Sequence, residues 1–250
     1  MKSLLVSDVH YRLKQLDWLV SVAPGFDLVV IAGDHLDIAS AVAIEAQVVV
    51  TLKYLQRVAG ATRLVVCSGN HDLNGRSTSG EKVATWMSKV RRMGIPADGD
   101  SLELGDTLVT VCPWWDGPAA RDEVARQLAA DAARPRRRWI WVYHSPPKGS
   151  PLSWNGTRYF GDGDLVGWID QYHPDIVLCG HIHQSPFRDG GSWVDRVGPT
   201  WLFNAGCQIG PVPSHIVIDT DAAEATWSSL AGSERTRLDG DAPHRERLEA

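Results

Sequence analysis

Four short runs in this chain, at residues 4–7, 28–32, 63–67 and 176–179, are apolar at almost every position. A strand with one wet face alternates apolar and polar side chains. A strand apolar throughout has both faces covered. These runs therefore predict a sheet sandwiched between other layers. Strands are expected at 3–7, 28–32, 63–67, 108–112, 139–143, 176–179, 200–204 and 216–219. Helices are expected between them, at 14–22, 41–58, 81–93, 122–133 and 165–172. In the second of these, Ile44, Val48, Leu52, Leu55 and Val58 recur at spacings of four and three, one helical face. Strands alternating with helices predict a layered α/β fold. The second half carries more strands and fewer helices. Two packed mixed sheets flanked by helices are therefore expected, rather than one parallel doubly wound sheet.

The 250 residues allow one large domain or two small ones. No internal repeat and no low-complexity linker divides them, so one domain is expected over 1–232. Residues 233–250 are charged and almost free of large apolar groups, which predicts a disordered tail. The alternative there is a docked helix over 245–250. With 44% hydrophobic and 22% charged residues, the whole is neither a disordered chain nor a disulfide scaffold. The net charge of −5 disfavours a globally basic nucleic-acid-binding domain. The arginine-rich run 134–138 reads as an exposed turn before a strand.

No apolar run approaches the ~20 residues of a membrane span. The apolar start is too short for a secretory h-region. Cys67, Cys112, Cys179 and Cys207 are widely spaced, with no C-x-x-C, and read as reduced thiols. Cytoplasmic localisation is expected, with no membrane partner.

The polar residues that follow the apolar runs carry the chemistry. Asp8 and His10 follow the first, Asp34 the second, and Asn70, His71 and Asp72 the third. His144 follows the run at 139–143, and His181 and His183 follow 176–179. Singly, each has a plain structural role: a cap, a turn residue, a satisfied histidine. Together they place five of nine histidines just past buried strands. Ligands of α/β sheets bind outside the carboxyl ends of strands. Imidazoles and carboxylates gathered on one rim suit metal ions. Two ions suit them better than one, because a single ion takes about six ligands at most. Asp34 lies between the two sets in sequence and is a natural bridging carboxylate.

Five blocks, Asp8-Val9-His10, Gly33-Asp34, Gly69-Asn70-His71-Asp72, His144 and Gly180-His181-Ile182-His183, stand in the order found in the calcineurin-like metallophosphoesterase superfamily. The chain resembles that family over residues 8–183. The resemblance implies two mixed sheets between helices, with a dinuclear centre on the rim. It implies that Asp8, His10 and His183 bind one metal, that Asn70, His144 and His181 bind the other, and that Asp34 bridges both. His71 would assist the leaving group, as transition-state stabiliser or general acid. Asp72 would either orient His71 or cap the following loop. The implied reaction is in-line attack on phosphorus by a metal-bridging hydroxide. The ions could be Mn²⁺, Fe²⁺/³⁺, Zn²⁺, Ni²⁺ or Co²⁺.

Departures from subfamilies narrow the reading. The Asp-Arg-Gly and GNHE patterns of Ser/Thr protein phosphatases are missing. Asp37 stands where purple acid phosphatases place a metal-binding Tyr. His35 either points at substrate or packs beneath the site. Arg76 and Lys148 are candidates to reach substrate, against the plain reading of solvated cations. Trp114, Trp115, Trp154, Tyr159 and Phe160 could stack a nucleobase or fill the core. The expected activity is phosphodiester hydrolysis of a small, cyclic-type nucleotide or similar diester. The alternatives are a phosphomonoesterase, a nuclease or a metal-binding scaffold without turnover. No G-x-G-x-x-G follows the first strand, which disfavours a nicotinamide or flavin enzyme.

Overall fold

The structure, a computed structural model, describes residues 1–248. In chain order its elements are β1 (Lys2–Val6), α1 (Leu13–Val22), β2 (Leu28–Ala32), α2 (Ile44–Ala59) and β3 (Arg63–Cys67). A small hairpin follows, β4 (Gly75–Arg76) and β5 (Lys82–Val83), then α3 (Met87–Arg92), β6 (Ser101–Leu104) and β7 (Thr107–Val111). Next come α4 (Pro118–Ala132), β8 (Arg138–Val142), α5 (Gly163–Tyr172), β9 (Ile176–Cys179) and β10 (Val194–Val197). The chain continues through β11 (Thr200–Asn204), β12 (His215–Asp219), β13 (Glu224–Ser229), β14 (Gly232–Arg237) and β15 (Glu246–Leu248).

Two mixed sheets pack face to face. The larger has seven strands in the order β15-β14-β13-β12-β1-β2-β3, and the smaller has six, β10-β11-β9-β8-β7-β6. Strands β1, β2 and β3 run parallel, as do β7, β8, β9 and β11. Alternate side chains of one strand serve different layers. Leu5, Val30 and Val65 join Val109, Val142 and Leu178 between the sheets. Their neighbours Leu4, Val29 and Val66 pack outward with Leu19, Leu55 and Trp86 of the helical side. On the other side Val124, Leu128 and Leu165 of α4 and α5 cover Trp139, Trp141 and Leu202. The result is the helix–sheet–sheet–helix layering expected. It explains why these strands carry no polar stripe: neither face meets water. Among the described residues no helix is long and apolar enough to cross a membrane.

Two expectations need correction. The helix expected at 81–93 begins only at Met87, because Glu81 and Lys82 are drawn into tertiary bonds. The Glu81 carboxylate accepts the Ala119 and Ala120 N–H groups at 2.8 and 2.9 Å, satisfying the start of α4. The Lys82 N–H donates to Asp116 at 3.1 Å. The second correction concerns the charged segment from 233. It forms β14 and β15, so a boundary at 232 would cut the β13–β14 hairpin. An edge strand needs ladder bonds and cross-strand pairs more than apolar bulk. Arg235 meets Glu246 at 2.8 Å, and Glu234 accepts the Trp193 indole N–H at 2.7 Å. Residues 249–250 of the expected tail, and of its helical alternative, lie outside the described residues.

Candidate metal centre

Every motif residue sits beyond the carboxyl end of a parallel strand. Asp8 and His10 follow β1, Asp34 follows β2, and Asn70 and His71 follow β3. The second sheet supplies His144 after β8 and His181 and His183 after β9. The first two loops are zipped together by Asp8 N–H to Gly33 O, His10 N–H to Asp34 O and Tyr11 N–H to His35 O, at 2.8–3.0 Å. Seven non-glycine residues of the described chain have positive φ, and five of them are Asp8, His10, Tyr11, Asp34 and His181. Such backbone costs of order 1–3 kcal/mol per residue, so strain is concentrated where the motif side chains must converge. Two glycines permit the approach. A Cβ on Gly33 (φ +84°) would stand 2.3 Å from His144 Nδ1, and one on Gly69 would stand 2.2 Å from Asp34 Oδ1.

Asp34 is the hinge of the cluster. Its Oδ1 accepts the His71 N–H at 2.8 Å. Its Oδ2 lies 3.3 Å from His144 Nε2 and 4.0 Å from His10 Nε2. On one side, the ligand atoms of Asp8, His10, Asp34 and His183 lie within 4.8 Å of one another; on the other, those of Asp34, His144 and His181 do. Asp34 belongs to both groups. His10 Nε2 and His183 Nε2 are 3.0 Å apart, and His183 Nε2 is 3.2 Å from Asp8 Oδ1. The Asp8 carboxylate is oriented by the His181 N–H at 3.1 Å.

The donor set fits two cations. His144 Nδ1 contacts Ala32 O at 2.6 Å, which fixes that nitrogen as a donor and turns Nε2 toward the cluster, where it can ligate once its own proton is lost. His144 Nε2 and Asn70 Oδ1 are both buried without a hydrogen-bond partner. Buried polar atoms left unpaired are costly, and a cation would satisfy both. Protonation shows the same demand. Burial opposes charge on Asp34, yet the neighbouring His144 and the His71 N–H hold its carboxyl well below the usual range. Burial opposes charge on His144, yet Asp34 outweighs it and lifts the imidazole to about 9. Burial, reinforced by His144, takes His181 down to about 4, leaving it neutral and able to ligate. Burial opposes charge on His183 too, but its bond to Asp8 raises it. Asp34 and Asp8 thus each raise the imidazole beside them, His144 and His183.

The remaining predicted residues separate. His71 stays at the centre: its ring is 4.6 Å from that of His10, and its Nδ1 is buried without a partner. Asp72 does not face His71. Its fully buried carboxylate accepts the N–H groups of His35, Leu36 and Gly69 at 2.9–3.1 Å and contacts His35 Nδ1 at 3.1 Å. Asp72 therefore pins the loops after β2 and β3 together, and the expectation that it orients His71 is corrected. For His35 the structure selects the second of its two readings, packing beneath the site. It is wholly buried and lies edge-on to Trp86, which keeps it from substrate. Arg76 is exposed on the β4–β5 hairpin, where it donates to Gly80 O at 2.6 Å. Asp37 turns back to accept the Ala39 N–H at 2.9 Å. Lys148 lines a cavity beside His144 and His181.

That cavity, about 640 Å³, is walled by Trp114, Trp115, Tyr159 and Phe160 and carries Asp162 and Asp164. The Trp114 ring lies 5.6 Å from His144 and 5.2 Å from His181. Beside His183 lies a second cavity, about 460 Å³, that includes Arg12 and Cys207. Neither residue was singled out from the sequence, where no motif marks them. Cys207 Sγ is within ligand reach of His10 and His183. Burial, with Asp8 nearby, pushes its thiol up to about 11 in the metal-free protein. The other three cysteines are buried in the core.

The sequence profile of the calcineurin-like phosphoesterases matches residues 1–185, most of the chain. The chain belongs to that family. Membership makes it a metal-dependent phosphoric ester hydrolase. Solved structures agree on the fold at low identity. The protein TT1561 of Thermus thermophilus superposes with a TM-score of 0.58 at 14% identity, covering 95% of this chain and 98% of that one. Purple acid phosphatase PPD1 from yellow lupin seeds gives 0.57 at 13% identity, covering 99% of this chain and 53% of that one. No curated protein sequence matches the chain.

Proposed function

We propose that this phosphoesterase hydrolyses a small phosphodiester, of the nucleotide type, at a two-metal centre. Asp8, His10 and His183 would hold one ion, Asn70, His144 and His181 the other, and Asp34 both. The observation that carries the reading is the position of Asp34 between two ligand groups, with Asn70 Oδ1 and His144 Nε2 unpartnered. When bound, two such ions supply Lewis acidity to phosphoryl oxygens and lower the pKa of water. The absence of thiolate ligands is consistent with Mn²⁺, the first ion to load. Three buried thiols fit a reducing compartment such as the cytoplasm.

The chain's own residues then divide the work. Asp8 and Asp34 supply the negative charge that retains the cations. The loops fixed by Asp72 hold His71 at the rim, where its imidazole can give a proton to the departing oxygen. Lys148 meets the non-bridging oxygens or the arm beyond them. Diester specificity is supported by the two cavities, one beside each half of the centre, which match a phosphorus that carries two arms. The aromatic walls of the larger cavity suit a base.

The deciding experiment compares a chromogenic phosphodiester with its monoester, on protein stripped of metal and refilled with Mn²⁺. Fast, metal-dependent cleavage of the diester is expected. Preference for the monoester would overturn the diester assignment in favour of a phosphomonoesterase, and salt-sensitive cleavage of single-stranded nucleic acid would favour a nuclease. Two bound ions without turnover on any of these would overturn catalysis altogether. His71→Ala is expected to lower turnover about a hundredfold with metal content near normal. Unchanged turnover of an ester with a poor leaving group would remove the role given to His71.

A further inference from the structure

The two cavities beside the centre differ in charge. The one at His144 and His181 offers a single cation, Lys148, against Asp162 and Asp164. The one at His183 is lined by Arg12, Gln184, Phe187, Arg188 and Gln208, and no carboxylate lines it. Arg12 is half-buried, and among the described residues no carboxylate pairs with it. Its Nη1 donates to Asp8 O at 3.2 Å and to Cys207 Sγ at 3.0 Å. Those bonds hold the guanidinium against the loop that carries Asp8. Its Nε and Nη2 make no hydrogen bond among the described residues, so the outer edge of the fork is unused. A half-buried guanidinium without a counter-charge is unfavourable in the empty cavity and favours an anionic ligand. Arg188 is exposed and likewise unpaired among the described residues. In the cavity beyond, Asp189 and Glu234 stand with Arg245 and Arg247, and Glu234 approaches Arg245 at 3.8 Å. Arg188 lines that cavity as well, so it stands between the mixed-charge surface beyond and the carboxylate-free cavity of Arg12.

We infer that the cavity of Arg12 and Arg188 is an anion subsite that reads a second phosphoryl group on the substrate, carried on the arm that leaves the metal centre past His183. This rests on the phosphoesterase reading of the centre and narrows it. The favoured substrate is a phosphoester with a second phosphate within a few bonds of the first, as in a dinucleotide, rather than a singly charged cyclic mononucleotide. Guanidinium forks grip phosphate by paired N–H bonds, and Gln184, exposed at the cavity, is a neutral group suited to a remaining oxygen.

The test is equilibrium binding to the Mn²⁺-loaded protein, read by tryptophan fluorescence at equal buffered free metal. The probes are methylphosphonate and straight-chain bisphosphonates with linkers of two to five carbons, which have no ester to cleave. The best bisphosphonate is expected to bind about tenfold or more tighter than methylphosphonate, well above its statistical factor of about two. Arg12→Gln and Arg188→Gln are each expected to weaken the bisphosphonate at least about fivefold more than the monophosphonate. Arg188→Gln changes an exposed side chain and keeps the test readable if the Arg12 variant folds poorly. No bisphosphonate advantage, or an advantage that survives in the folded variants, would overturn the subsite while leaving the phosphoesterase reading intact. Failure of methylphosphonate to bind at all would overturn the reading of the centre, and the subsite with it.

Discussion

The loops of the two sheets build one centre in different ways. Those after β1, β2 and β3 are strained, cross-bonded and buried, with Asp72 accepting three backbone N–H groups beneath them. Those after β8 and β9 open onto the aromatic cavity and present Lys148 and Phe160 beside the ligands His144 and His181. The first set has almost no freedom to vary without moving a ligand. The second can change its cavity residues while His144 stays pinned to Ala32 of the first sheet. Rigidity should therefore belong chiefly to the first sheet, and the shape of the aromatic cavity to the second.

Substitutions can break that division. The largest effect is expected for Asp34→Asn, which removes the carboxylate shared by both ligand groups. Bound metal and turnover should fall together, by more than the roughly 10- to 100-fold typical of outer-shell partners. Full metal occupancy in this variant, measured by elemental analysis, would refute the bridging role. Next is Asp72→Ala, which leaves several buried donors unpaired. It should cost roughly 3–5 kcal/mol in denaturant unfolding, whereas Lys148→Ala on the other sheet should cost almost nothing. Equal losses in the two variants would erase the contrast.

The comparison is sharpened by pH. Without metal, His144 holds a proton up to about pH 9 because Asp34, itself ionised, lies beside it. A cation must displace that proton. Affinity should therefore rise with pH through neutrality towards 9, by up to about tenfold per unit for each proton released, and weaken as pH falls. A flat profile in competition with a metal-sensitive dye would show that His144 is neutral before metal arrives. The smallest effect is expected for Phe160→Ala, whose side chain is 39% exposed in the aromatic cavity. KM for a nucleotide diester should rise about fivefold with metal content unchanged, as for one lost base contact. An equal loss for a diester lacking any aromatic arm would argue against stacking.

The layered core was legible because doubly buried strands leave an unmistakable apolar run. All eight expected strands occur within one residue of their expected bounds. The motif side chains were legible for a related reason: a polar residue at the end of such a run has nowhere to go but the rim. The strands β10, β13, β14 and β15 were not foreseen, because edge and near-edge strands draw on ladder bonds and charge pairs that composition hides. Asp72 and His35 each kept a functional and a structural reading because they adjoin motif residues. Only the fold shows that Asp72 caps three loop N–H groups and that His35 is wholly enclosed. Arg12 and Cys207 meet across 195 residues of sequence. No local pattern could announce them.

The pairing of β1 with β12 has a consequence for how the protein is made. Leu4 and Leu5 find their outer partners in Val217 and Ile216, far downstream in the sequence. While the chain is still emerging from the ribosome, β1 can gain β2 and β3 on one side, but its other edge stays open until β12 has been made. An apolar strand with a bare edge invites pairing with other chains. The loop that carries Asp8 and His10 springs from that strand, so a late stage of synthesis secures the earliest ligands. A polypeptide released at residue 185 would retain every motif residue but leave β1 without its β12 partner.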